Sequence, residues 1–197
     1  MIAYKGVTKD MVAAMGSGRK VLKVGETYVD DKSQTASCGW HCTENPLDCL
    51  RYFPLGAENR YFLVEAAGDI DEDGINRIAC TEITLLQELS VKRMAFDAMK
   101  YIINHPRREQ WEQSGRNLSV ARDKAHVTYP ESIAIARGER PMVAGPVGSF
   151  LGLILEAEPG KIVTVKMFTP SPEQAGKWMT VTLDRELVEV TDEEEVN

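Results

Sequence analysis

The sequence predicts an α+β protein: an N-terminal mixed sheet with two helices, then a short β-solenoid-like or meander segment, and a C-terminal β-hairpin module. Runs of β-branched and apolar residues bounded by turn residues recur along the chain, which indicates strands. Two stretches carry helix caps and helical spacing. A polar stretch separates them from a repetitive segment of small residues, so we predict domains at 1–115 and 116–197.

The first predicted helix begins at Asn45-Pro46. Asn45 can accept a hydrogen bond from a first-turn N–H, and proline fits the first helical position, where its missing donor costs nothing. Apolar residues up to Phe53 fall on one helical face, and Pro54 ends the helix.

The second predicted helix spans residues 91–102 and is capped by Ser90. Its apolar residues recur at i, i+3, i+4 and i+7, which indicates a core-facing stripe. It follows two predicted strands at 60–67 and 80–86, both rich in strand-forming residues. The stripe consists of Val91, Met94, Ala95, Ala98, Met99 and Ile102.

The repetitive segment contains three similar tetrapeptides that start seven residues apart, at Leu118, Ala125 and Ser132. Small and β-branched residues at a short fixed period favour solenoid turns, whereas an ordinary meander with accidental spacing remains the alternative. So few turns would need support from another element or another subunit, and we expect a homo-oligomer. Strands at 150–157 and 161–168 then form the predicted hairpin.

A cluster of cysteines and a histidine lies just before and within the first helix. Zinc accepts four such ligands, but the set lacks the paired spacing of known zinc sites, and buried or free thiols are the alternative. We therefore expect no cofactor, with zinc as the alternative. The candidate ligands are Cys38, His41, Cys42 and Cys49.

An acidic stretch from Asp69 to Asp73 matches the first half of a calcium-binding loop. The match then fails, because Cys80 stands where a bidentate glutamate is required, so we predict a solvated turn. The formal net charge of −7 argues against nucleic-acid binding and favours a basic protein partner. No apolar run has the length of a membrane span and no leader is evident, so a cytoplasmic location is expected.

Three elements resemble a phage and prophage family of unknown function: Tyr4-Lys5-Gly6-Val7, Val24-Gly25-Glu26-Thr27-Tyr28, and the segment Cys38–Asp48. That family shows Tyr-Lys-Gly-Phe, Gly-Lys-Thr-Tyr and Gly-Phe-His-x-Cys-x-Asn-Pro-Leu-Asp. Here Val7 and Trp40 replace phenylalanines, and Thr43 stands at the position of the cysteine. The resemblance implies a mobile-element origin and transfers no activity.

Three functions fit these observations. The first, which we favour, is a phage- or prophage-encoded interaction protein that inhibits a host factor or defence system by stoichiometric binding. The second is an ADP-ribosyltransferase-like enzyme, because Tyr4-Lys5-Gly6, His41 and Glu82 resemble elements of that class. The third is a virion-associated or assembly module. For the first function, the expected binding surface comprises Trp40, His41, Asp69, Asp71 and Asp73.

Overall fold

The structure, a computed structural model, describes residues 1–13 and 19–191. The chain divides into two compact units, Met1–Ala98 and Met99–Asn197, with the division inside helix α1 (Val91–Asn104). The domain limits predicted from the sequence, 1–115 and 116–197, stay predictions.

The N-terminal unit contains a five-stranded sheet in which every pairing is antiparallel. The long hairpin of β6 and β7 forms its centre, β1 pairs with β6, and both β4 and β5 pair with β7. The predicted mixed sheet is therefore wrong for this unit. The strands are β1 Ile2–Val7, β4 Thr27–Val29, β5 Trp40–Cys42, β6 Arg60–Glu72 and β7 Ile78–Leu89, and a separate two-stranded sheet joins β2 Val12–Ala13 to β3 Lys20–Val21.

The prediction of two α-helices in an α+β fold is wrong, because the described residues are mostly strand and hold one α-helix. Ser90 caps α1 as predicted, with its Oγ accepting from the N–H of Arg93 at 3.2 Å. The helix start predicted at Asn45-Pro46 is also correct, because Asn45 Oδ1 accepts a hydrogen bond from the N–H of Leu47. The helix that begins there, however, is a six-residue 3₁₀ helix, Pro46–Arg51, since so short a segment cannot repay the cost of α-helix nucleation.

The core of the N-terminal unit lies on one face of the five-stranded sheet. Alternate residues of β1, Ala3 and Val7, are fully buried there together with Cys42 and Cys80. Two reciprocal backbone hydrogen bonds of 2.8 Å between Tyr4 and Thr43 bring the chain after β5 against β1. Residues far apart in sequence thus meet beside β1.

The C-terminal unit contains a seven-stranded sheet ordered β12-β11-β10-β13-β14, with β9 on β10 and β8 on β9. Pairings β9–β10 and β10–β11 are parallel, whereas β11–β12 is antiparallel. The strands are β8 Gln113–Gly115, β9 Leu118–His126, β10 Ile133–Ala144, β11 Phe150–Glu158, β12 Lys161–Phe168, β13 Met179–Val181 and β14 Leu187–Glu189.

The seven-residue repeat predicted from the sequence does not set the register of these strands. Leu118 pairs with Ile133, and after a shift in register Ala125 pairs with Val143. The register shifts in β10 between Arg137 and Met142, opposite Asp123, which has a positive φ of 60°. An irregularity of this kind is invisible to a count of similar residue types along the chain.

One charged pair is buried in the C-terminal unit. Arg137 and Glu156 lie 2.6 Å apart with side chains 4% and 1% exposed, and Glu156 also accepts from the N–H of Gly160 in the β11–β12 turn. Arg137 additionally donates to the carbonyl of Pro106. Since this pair joins three segments of the unit, we expect it to be structural.

Candidate functional site

A pocket with a volume of about 100 Å³ opens beside β1 in the N-terminal unit. It lies where β1, the end of β5, the 3₁₀ helix and the loop before β5 converge. Two cationic side chains, a histidine, two thiols and three aromatic rings contribute to its wall. The lining residues are Tyr4, Lys5, Gly6, Ala13, Ala36, Ser37, His41, Cys42, Thr43, Cys49, Tyr52, Phe53 and Arg77.

Lys5 is the most unusual member of this set. Its side chain lies on the same buried face of β1 as those of Ala3 and Val7, and the residue is only 5% exposed. Its Nζ donates to the backbone carbonyl of His41 at 2.6 Å. No carboxylate pairs with it among the described residues, and burial lowers the pKa of its amine. A lysine without a counter-ion in a pocket wall is costly for the fold and indicates a functional role.

His41 lies next to Lys5 and is half-buried. The N–H of Ala36 donates to Nε2 at 3.1 Å, which places the ring proton on Nδ1. That nitrogen is buried and has no hydrogen-bond partner among the described residues. Burial lowers the pKa of His41 and the charges of Lys5 and Arg77 lower it further, while backbone groups of Gly39 and Gln34 raise it in part. The imidazole is therefore neutral near pH 7 and offers one donor.

Arg77 lies in the same wall and is more exposed, with 36% of its side chain accessible. Its Nε donates to Asp73 Oδ2 at 2.9 Å, while Asp73 Oδ1 accepts three backbone N–H groups of the turn. Burial alone would raise the pKa of Asp73, but these hydrogen bonds outweigh it and hold the pKa well below its usual value. Asp73 thus fixes the turn that presents Arg77.

Aromatic rings form the other wall. A Cβ added to Gly6 would lie 2.6 Å from the Phe53 ring, so only glycine lets that ring approach β1. The Tyr4 hydroxyl hydrogen-bonds to Asp97. Burial and this neighbouring carboxylate raise the pKa of the hydroxyl to about 12. The pocket therefore has one polar, cationic side and one aromatic side.

Of the four residues proposed as metal ligands, His41, Cys42 and Cys49 line the pocket, whereas Cys38 does not. Cys38 is partly exposed, whereas Cys42 and Cys49 are buried. Cys42 hydrogen-bonds to Cys80, which together with burial raises its pKa, and burial raises the pKa of Cys49 to about 12. Across residues 1–13 and 19–191 no group of three or more His, Cys, Asp or Glu side chains is placed to hold a metal ion.

The acidic residues predicted as a binding surface make internal hydrogen bonds. Asp71 Oδ2 accepts from the N–H and the Oγ1 of Thr35, at 2.6 and 2.8 Å, and Asp69 accepts from Ser33. They hold the loop that carries Ala36 and Ser37 into the pocket wall.

Two other predicted site residues lie apart from the pocket wall. Trp40, expected on the surface, is only 9% exposed. Glu82 is exposed on β7 and does not line the pocket, so the structure does not bring it together with His41 there.

The pocket lies in the part of the chain for which the comparison with protein families gives a result. Residues 1–97 match the family model described as Domain of unknown function (DUF7666). The match ends just before the limit of the N-terminal unit at Ala98. No curated protein and no solved structure matches this chain. In the part of the chain that the structure describes, no helix is long and apolar enough to cross a membrane.

Sequence reasoning missed the two cations that line the pocket. Lys5 stood out only within the Tyr-Lys-Gly element. In a strand it lies on the same face as Ala3 and Val7, so its position puts a charge on an otherwise apolar face. That signal was available. Arg77 had none, because it reaches the pocket through the β6–β7 turn and the pairing of β5 with β7.

Proposed function

We propose that residues 1–98 form a binding domain for a small anionic molecule, such as a short-chain carboxylate. The observation that carries this proposal is Lys5, a buried amine in a pocket wall without a carboxylate partner in the described chain. An anionic ligand would supply the missing counter-charge.

The rest of the lining supports an anion. Arg77 adds a second cation at the exposed side, and the neutral His41 adds a donor at Nδ1. None of the pocket-lining residues in the described part of the chain is an Asp or Glu. A volume of about 100 Å³ suits a ligand of a few heavy atoms.

If Lys5 is kept for binding, the Lys5→Met variant should be more stable than the wild type, by about 1–3 kcal/mol near pH 7. Methionine fills a similar volume without burying an amine. The lowered pKa means that the Lys5 amine binds its proton less tightly in the folded state than in the unfolded chain. The penalty is therefore present below the unfolded pKa of about 10.4 and fades as the pH rises toward it. Urea unfolding at pH 7 and pH 10 measures the difference, and equal stability of the two proteins at both pH values would contradict this prediction.

Ligand binding can be tested with glycolate, observed by two-dimensional NMR of labelled protein. For so few heavy atoms we expect a dissociation constant on the order of 1 mM, with shifts at Tyr4–Gly6 and His41. The Arg77→Gln variant should bind about tenfold more weakly, because a charge-assisted contact is lost.

Arg60→Gln is the matched control. Arg60 also forms an ion pair, with Glu88 at 2.6 Å, its side chain is likewise 36% exposed, and it does not line the pocket. Equal binding by wild type and Arg77→Gln, or equal weakening by Arg60→Gln, would overturn the proposal.

A second proposal is that the protein is a phage- or prophage-encoded interaction protein that inhibits a host factor by stoichiometric binding. It is favoured by Ile70 and Ile75, which are 37% and 53% exposed beside the acidic side chains of the β6–β7 hairpin. It predicts a stoichiometric complex that these two residues stabilise. The assembly-module and homo-oligomer hypotheses stay predictions, and the position of Glu82 gives the transferase hypothesis no support at the pocket.

A further inference from the structure

We propose that Lys5 captures a small carbonyl acid, an aldehyde or ketone that carries a carboxylate, by forming an imine at its Nζ. This inference rests on the proposed function and specifies its ligand class. It needs an uncharged amine within reach of a bound carbonyl group, a cation for the carboxylate, and a donor for the carbonyl oxygen. The pocket wall contains one residue of each kind.

The amine is supplied by Lys5. Its single hydrogen bond among the described residues, 2.6 Å to the carbonyl of His41, uses one N–H and fixes the end of the side chain in the pocket wall. Burial lowers the pKa of this amine, so a larger neutral fraction, which carries the nucleophilic lone pair, is present than in an exposed lysine. The thiols of Cys42 and Cys49 beside it are buried and have raised pKa values, whereas the hydrogen bond from Cys42 lowers the pKa of Cys80, which also acts on the amine.

Arg77 and His41 supply the other two requirements. The Nε of Arg77 is engaged by Asp73, which leaves its two terminal nitrogens for other partners, and guanidinium groups match carboxylates in geometry. His41 Nδ1 is a buried donor without a partner among residues 1–13 and 19–191, suited to a carbonyl oxygen. Lys5 Nζ contacts the backbone carbonyl of His41, and Arg77 is near enough to His41 for its charge to act on the ring.

The step is balanced without a further reactant. The lone pair of Nζ forms a bond to the carbonyl carbon, and the carbonyl oxygen takes up a proton to give a carbinolamine. Loss of that oxygen as water, with the second proton from nitrogen, leaves the C=N bond. No oxidation occurs, and hydrolysis reverses the reaction.

The experiment uses glyoxylate as the probe and cyanoborohydride as the trapping reductant, which delivers hydride to the imine carbon and leaves a stable carboxymethyl group on nitrogen. Peptide mass spectrometry then locates the label. We expect at least tenfold more labelling of Lys5 than of any other lysine at low glyoxylate concentration. Lys9 is the reference site, because it is exposed, pairs with Glu58 at 3.1 Å and has a raised pKa.

Two variants and one analogue separate the outcomes. The Lys5→Met variant should lose the preferred label, although all its other lysines are still present. The Lys9→Met variant should still be labelled at Lys5. Glycolate, which has an alcohol in place of the aldehyde, should compete with labelling and bind without being trapped. Binding of glycolate together with labelling spread evenly over surface lysines would overturn the imine and leave the anion pocket standing. Absence of both would overturn both proposals.

Discussion

Gly39→Ala is expected to destabilise the N-terminal unit by about 3–5 kcal/mol, because two costs coincide at this position. Gly39 has a φ of +84°, a left-handed conformation that an L side chain adopts at a cost. An added Cβ would also lie 2.8 Å from the backbone oxygen of Lys32 and 3.0 Å from that of Cys80. Backbone atoms on both sides cannot rotate away, so the turn that leads into Trp40 and His41 must move. Chemical denaturation measures the loss.

Gly25→Ala is the control for this substitution. Gly25 has nearly the same φ, +83°, but an added Cβ would meet no atom within 4 Å. We expect it to cost only the conformational part, about 1–2 kcal/mol. The difference between the two variants therefore isolates the steric part, and equal losses would show that the close approach at Gly39 relaxes freely.

Glu156→Gln is expected to destabilise the C-terminal unit by about 3–5 kcal/mol. Glu156 Oε1 accepts from Arg137 Nε at 2.7 Å, and both side chains are almost completely buried. Glutamine keeps the shape and one acceptor oxygen but removes the negative charge, so the guanidinium of Arg137 stays buried without compensation. The shift in urea midpoint reports the effect.

Glu158→Gln, two residues along the same strand, is the matched control. Glu158 pairs with Lys161 at 3.8 Å, and both side chains are mostly exposed, 74% and 66%. Solvent screens such a pair, so little change is expected. If the two variants unfolded at the same denaturant concentration, the buried pair would contribute no more than a surface pair.

Local signals in the sequence were sufficient for several elements. The helix after Ser90 was predictable because cap and stripe agree, and Met94, Ala95, Ala98, Met99 and Ile102 are all buried. Strand β6 was predictable at its start, since strand-forming residues dominate there. The helix start at Asn45-Pro46 was also correct, yet the start alone does not set helix type, which depends on how many residues lie between it and Pro54.

Long-range pairings were not predictable in the same way. The parallel pairing of β9 with β10 contains a register shift between Arg137 and Met142, and β5 pairs with β7 although the two strands are far apart in the chain. The site shows the same limit. His41 and the Tyr4-Lys5-Gly6 element stand out as motifs, but their meeting with Arg77 results from strand pairing, which a single sequence does not reveal.

The acidic side chains of the β6–β7 hairpin have a kinetic consequence for the pocket. Asp71 and Asp69 hold Thr35 and Ser33, and the adjacent Ala36 and Ser37 form part of the wall. If the pocket binds a ligand as proposed, we expect separation of this loop from β6 to speed its release. We therefore expect ligand residence time to depend on hydrogen bonds that do not touch the ligand, and amide hydrogen exchange of Thr35 reports how often they break.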